Sequence, residues 1–158
     1  MPKVVLRAIR SEDMDTLFGQ LVDSVANEMA VFGSKDPLNK PAFLERWQRI
    51  LSSDEFFCRA IVFNGQFVGH VAHFEQLGNP SISYRLGREF WGRGITTRAV
   101  NQFLSLIEMR PLFARAALSN LGSIKVLENN GFKRIATENS YSEAIENMVE
   151  EAIYSLEH

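Results

Sequence analysis

The chain has 158 residues, enough for one domain with a real core, and its 46% hydrophobic and 23% charged residues are ordinary for a soluble globular protein. A formal net charge of -2 excludes the strongly basic face of a general nucleic-acid binder, but still allows one local basic pocket for a small anion. The single cysteine, Cys58, excludes an internal disulfide and a cysteine-built zinc site, and no apolar run nears the ~18 residues of a membrane helix.

The N-terminus, MPKVVLRAIR, lacks the apolar core of a signal peptide, so the expected compartment is the cytoplasm. Val4 to Ile9 reads as a first strand. Ser11 is then a candidate N-cap, with Glu12 and Asp13 in the first turn where they favour the helix dipole. Leu17, Phe18, Leu21, Val22 and Val25 follow at helical spacing. A loop with Gly33 and Pro37 leads to a second helix, with Pro41 suited to its first turn and Phe43, Leu44, Trp47, Ile50 and Leu51 as its buried stripe.

Strand signals come next. Phe56 to Phe63 is one run, Asn64-Gly65 is a hairpin turn, and Gln66 to Phe74 is the return. Gly78-Asn79-Pro80 predicts another turn before Ser81 to Leu86. From Ile95 to Ile107 the apolar positions share one helical face. Leu112 to Leu118 is a short strand, Ser123 to Asn129 a short helix, and Phe132 to Ala136 and Val149 to Leu156 are closing strands predicted antiparallel. His70 and His73, three apart on a strand, face opposite sides and make poor joint metal ligands. The closing Leu156-Glu157-His158 fits the start of an expression-tag scar, so His158 carries no functional weight. With no linker, repeat or low-complexity tract, residues 1–158 are expected to form one α+β domain around a mixed sheet.

One stretch does not behave like a simple connection. REFWGRGITTRAV sets Gly92 and Gly94 around Arg93, directly before the Ile95 helix. Two readings fit: a ligand-free tight turn, or a loop whose glycines let backbone N–H groups at a helix N-terminus approach a phosphate. A Walker loop would need Gly-Lys-Ser/Thr, and a dinucleotide fingerprint a third glycine near Thr97. Neither is present.

Trp91-Gly92-Arg93-Gly94-Ile95-Thr96 resembles the pyrophosphate-binding signature of the GNAT superfamily of acetyl-CoA-dependent N-acetyltransferases. It is most similar to the branch containing the ribosomal-protein N-terminal acetyltransferases. Asn120-Leu121-Gly122-Ser123, running on through Val126-Leu127-Glu128 to Gly131-Phe132, is similar to a second motif of that branch. LRAIRSED and AIYSL at the two ends also match, so the likeness spans nearly the whole chain. The departures are Thr96 for a small residue, Arg98 for a frequent glutamate, and Leu127 where many members carry a tyrosine acid.

The resemblance implies a sheet of about seven mostly antiparallel strands with about four helices, splayed open where acetyl-CoA binds. It implies that backbone around Gly92, Arg93, Gly94, Ile95, Thr96 and Thr97 holds the pyrophosphate, and that Leu86-Gly87 and Asn120 hold the pantetheine and thioester. It implies acetyl transfer from acetyl-CoA, without a metal, to a primary amine on a peptide or small molecule. Ser123 would protonate or stabilise the leaving thiolate, or simply cap its helix; Glu75, Glu138 or Glu143 would take the amine proton, or each is a solvated carboxylate. Neither a nucleic acid nor a membrane is an expected partner, and monomer and homodimer are both open. The rival reading is a non-catalytic CoA-binding regulatory module on the same fold.

Overall fold

Seven strands join in one sheet of order β1-β2-β3-β4-β5-β7-β6, in the computed structural model, which describes residues 3–23, 39–142 and 147–158. The loop around Gly33 and Pro37, the helical position Val25 and the candidate base Glu143 lie outside the described residues. The strands are β1 Val4–Arg7, β2 Phe57–Phe63, β3 Gln66–Gln76, β4 Asn79–Leu86, β5 Leu112–Ala117, β6 Lys133–Ser142 and β7 Asn147–Leu156. Four helices stand among the described residues: α1 Met14–Val22, α2 Lys40–Ser52, α3 Ile95–Leu104 and α4 Leu121–Asn129.

Every neighbouring pair is antiparallel except β4 and β5. That parallel pair is held in register only at Ser81 opposite Phe113, yet β4 runs on to Leu86 and β5 to Ala117. Beyond Ser81 the two strands part, and the sheet has an opening in its middle.

Alternation along the strands sends residues to two cores. Ile82 and Leu86 of β4 join Val71, Phe103, Leu127 and Tyr154 in the larger core, beneath α3 and α4. Phe103 and Tyr154 are fully buried; truncating Phe103 to alanine would cost about 3–5 kcal/mol. The smaller core gathers Leu17 of α1, Phe43 and Trp47 of α2, and Cys58 and Ala72 of the sheet. Burial pushes the Cys58 thiol up to about 11, with Arg59 opposing, so it is an inert core residue.

Both tight hairpins use a pair of left-handed residues, Asn64-Gly65 and Leu77-Gly78, the geometry that matches strand twist. The second turn is therefore Leu77-Gly78, and Asn79 and Pro80 already belong to β4. Gly69 has a different reason. A Cβ there would collide with the Arg85 carbonyl oxygen, so β3 and β4 approach more closely than any side chain permits.

Several boundaries differ from the sequence reading. β1 ends at Arg7, and Ser11 does not cap α1. Residues Ser11–Asp13 form a 3-10 turn, and the Asp13 carboxylate accepts from the Arg10 N–H at 2.8 Å and from both terminal nitrogens of Arg7 at 2.7 and 2.9 Å. Burial raises the Asp13 carboxyl, but these bonds outweigh it and hold the group below the usual carboxylate range. α3 stops at Leu104 because the Ser105 hydroxyl donates back to the Gln102 carbonyl at 2.6 Å and the next turn tightens; Ile107 still reaches the core. α4 begins at Leu121, two residues before Ser123. β6 extends to Ser142 through a polar run that only cross-strand pairing with β7 makes a strand. Leu156 pairs with Leu112 and is buried, so it is an integral part of the sheet.

Candidate functional site

The opening between β4 and β5 continues into a cleft of about 400 Å³ below the N-termini of α3 and α4. Its wall on the α3 side is the glycine loop. Gly92 has φ +79° and Gly94 φ +74°, both in the left-handed region that side chains rarely adopt, and Gly94 is the N-cap of α3. A Cβ at either glycine would meet no protein atom within 4 Å and would stand in open space. The first bonded amide of α3 is that of Arg98, to the Gly94 carbonyl at 3.2 Å, so the amides of Ile95, Thr96 and Thr97 lie in the unpaired first turn. That turn is the positive end of the helix dipole.

Trp91 fixes the approach to the loop. Its indole N–H donates to the Leu86 carbonyl at 3.0 Å, folding the chain from Leu86 to Trp91 back on itself. The Gly87 N–H is spent on the Val68 carbonyl at 2.8 Å, which ties the end of β4 to β3.

On the opposite wall, Asn120 is the N-cap of α4. Its side-chain oxygen accepts from the Ser123 N–H at 3.1 Å, so the capping role that the sequence reading offered to Ser123 falls to Asn120. The Ser123 hydroxyl is thereby free of capping duty and meets the Tyr84 hydroxyl at 2.9 Å. Burial raises the Tyr84 phenol, with the Ser123 hydrogen bond opposing, and keeps it protonated. Lys125 is the cation along the cleft, and no carboxylate lines it among the described residues; Arg85 borders it, but its guanidinium reaches the Gln20 carbonyl at 3.3 Å on the α1 face. In a chain of net charge -2, this is a local positive site.

Leu86, Gly92, Gly94, Ile95, Thr96, Thr97, Asn120 and Ser123 all line this one cleft. Arg93 does not; its guanidinium lies 5.8 Å from the centre of the Phe90 ring. Gly87 lines a second hollow of about 270 Å³ against α1, with Thr16, Gln20 and Glu89, and Leu86 borders both spaces.

The carboxylates predicted as bases are placed elsewhere. Glu75 is exposed and pairs with Pro80, four residues along β4 from Tyr84, or about 13 Å at the usual rise. The register puts it on the same face as Tyr84 but at the far end of β3 from Leu86. Glu138 is bound to Arg115 at 2.9 Å, and the same guanidinium nitrogen holds Glu151 at 2.8 Å. Ser140 also donates to Glu151, at 3.1 Å. His70 is buried against Trp47 and held down to about 3 by loss of solvent and the Arg85 charge, so it stays neutral; burial also lowers His73. Among the described residues no group of three or more His, Cys, Asp or Glu gathers for a metal, and no helix is long and apolar enough to cross a membrane.

Tyr84, Lys125 and the indole bond of Trp91 were not singled out from sequence. The alternation Ile82-Tyr84-Leu86 was the available signal for Tyr84, because it puts that ring on the cleft face of β4.

The profile of the acetyltransferase (GNAT) domain family matches residues 3–133. The chain belongs to the GNAT acetyltransferase family. It is thus an acyltransferase by family, and its sheet opened between two parallel strands is the GNAT fold. No curated protein sequence matches it significantly. Among solved structures, spermidine N-acetyltransferase from Vibrio cholerae, in complex with CoA and spermine, superposes with TM-score 0.84 at 12% identity, covering 98% of this chain and 95% of the other. The microcin C7 self-immunity acetyltransferase, in complex with acetyl-CoA and AMP, gives 0.83 at 16%, covering 99% and 93%. The ribosomal-protein-S5-alanine acetyltransferase from Vibrio fischeri gives 0.76 at 19%, covering 98% and 92%. At these identities the likeness is one of fold.

Proposed function

We propose that this GNAT domain transfers the acetyl group of acetyl-CoA to a primary amine. The observation that carries the reading is the loop Gly92–Gly94, whose left-handed glycines leave the unpaired amides of α3 facing a cleft lined by Lys125 and by no described carboxylate. A pyrophosphate fits such a cradle by charge and by the room a Cβ would otherwise take. The pantetheine arm would then follow the opening between β4 and β5 past Asn120, bringing the thioester toward Leu86 and Ser123.

In this reading the amine nitrogen attacks the acetyl carbonyl carbon directly. The C–N bond forms, the C–S bond breaks with its electron pair on sulfur, and the proton lost by nitrogen balances the one gained by the thiolate. Ser123 assists the sulfur. Glu75 stands about 13 Å along the strand from Tyr84 and Glu138 is held by Arg115, so the amine proton is assigned to Glu143 or to water. Because the chain resembles the protein-acetylating branch, the first acceptors to try are peptides with free N-termini, followed by polyamines and aminoglycosides. A lone, buried thiol at Cys58 suits a cytoplasmic setting.

The same lack of a lining carboxylate favours a second reading, a CoA-binding module without catalysis. One experiment separates the two: release of free CoA thiol from acetyl-CoA with each amine in turn. Amine-dependent release supports the enzyme. Tight CoA binding without release from any of the amines supports the module.

A further inference from the structure

Tyr84 reaches Ser123 twice. Its hydroxyl lies 2.9 Å from Ser123 Oγ and 3.1 Å from the Ser123 carbonyl oxygen. The two hydroxyls own one proton each, so two arrangements are available: the first satisfies both contacts, and the second keeps only the contact between the hydroxyls. In the first, Tyr84 donates to the carbonyl, and Ser123 must donate to the Tyr84 oxygen. The pair is then closed on itself, and Ser123 has nothing to offer the cleft. In the second, Tyr84 donates to Ser123 Oγ. The serine proton is then released to point at whatever occupies the cleft, and the donated bond makes that proton a better donor.

We infer that Tyr84 sets the direction of the Ser123 hydroxyl and switches it from a closed pair to a donor aimed at the sulfur of bound CoA. Tyr84 is a positioning residue: it acts on sulfur through Ser123. The inference rests on the acetyl-CoA reading above and adds a residue from β4, on the cleft face of the sheet, to a role otherwise given to α4 alone. It also accounts for a departure in the sequence. Position 127, where many relatives carry a tyrosine, holds a fully buried leucine. Here the phenol beside Ser123 comes from strand β4 and not from helix α4.

Burial supports the assignment. A phenol that stays protonated can donate throughout the working pH range, but it cannot itself surrender its proton readily. The sulfur therefore receives a hydrogen bond, and the proton that completes the free thiol comes from solvent. Lys125, the cation lining the cleft, and Arg85, whose guanidinium lies on the α1 face, are unchanged in the variants below, so their effect on the thiol cancels.

The test titrates the thiol of bound CoA by its thiolate ultraviolet absorbance, in the parent protein, Tyr84→Phe, Ser123→Ala and the double variant. It needs no acceptor amine. Phenylalanine keeps the ring in the core, and a melting curve checks that the fold is kept. The expected result is a bound thiol more acidic than free CoA in the parent. Tyr84→Phe should raise its pKa by roughly half to one unit, and should add nothing once Ser123 is alanine. With an active amine, kcat should fall about tenfold while KM for acetyl-CoA stays within about twofold. An equal shift from Tyr84→Phe with and without Ser123, or no shift at all, overturns the inference and leaves the acetyl-CoA reading intact. Failure of the parent to bind CoA removes both.

Discussion

The two faces of the sheet treat polar groups in opposite ways. Beneath α1 and beside it, polar groups are paired or sealed from solvent: Arg115 is shared by Glu138 and Glu151, Gln20 donates to the Val68 carbonyl while its Oε1 is buried without a partner, and His70 is buried neutral with its Nδ1 unpartnered. Beneath α3 and α4, they are kept available: the first amides of α3 stay unpaired, and Asn120 relieves Ser123 of capping. The first face is where the fold draws polar stability. The second is where it can bind something. What marks the site is that its unpaired groups face an open cleft, whereas Gln20 Oε1 and His70 Nδ1 are sealed inside the other face.

At neutral pH the largest break in that contrast is expected at Arg115. Changing it to methionine leaves Glu151, only 4% exposed, as a buried carboxylate without its cation. Such a loss costs about 3 kcal/mol, or roughly 6–12 °C in Tm, and should leave CoA affinity of the folded protein unchanged. Calorimetric melting with a parallel CoA titration checks both halves.

His70 gives the next effect. Its folded pKa of about 3 lies below the unfolded value near 6.5, so between them the unfolded chain binds the extra proton. Stability is thus complete above about pH 6.5 and falls by about 1.4 kcal/mol per pH unit toward pH 3. Urea unfolding of His70→Gln across this range should lose most of that slope. A slope equal to the parent's would show that His70 is not the group responsible.

Asn120 sharpens the comparison at smaller scale, since it serves both stability and the cleft. Asn120→Ala should cost about 1 kcal/mol by uncapping α4. Asn120→Asp keeps the acceptor oxygen and hence the stability, but puts a negative charge into the cleft. Its Tm should match the parent's while CoA binding weakens severalfold. Equal CoA affinity in Asn120→Asp would place the ligand away from α4.

Much of this was legible before any coordinates. The hairpin at Asn64-Gly65, the helical face from Ile95 and the glycine pair before it announce themselves because each rests on a local rule: left-handed turn geometry, helical period, helix-dipole attraction. β6 beyond Ala136 was not legible, since Thr137 to Ser142 is polar and becomes a strand only by pairing with β7. The Asp13 bond to Arg7 hid behind a serine with the better capping record. Glu75 and Glu138 looked like bases because sequence shows a carboxylate but not its distance or its partner. Tyr84 was invisible for the complementary reason, as its meaning lies in a contact 39 residues away.

The central claim is that acetyl-CoA lays its pyrophosphate on the α3 N-terminus at Gly94, and titration calorimetry of acetyl-CoA into the parent and Gly94→Val tests it most directly. A valine at φ +74° strains the loop by roughly 1–2 kcal/mol and fills the space above the free amides. The account predicts at least a tenfold loss of affinity, with a smaller loss in Gly94→Ala. A folded Gly94→Val that binds acetyl-CoA as tightly as the parent would contradict it.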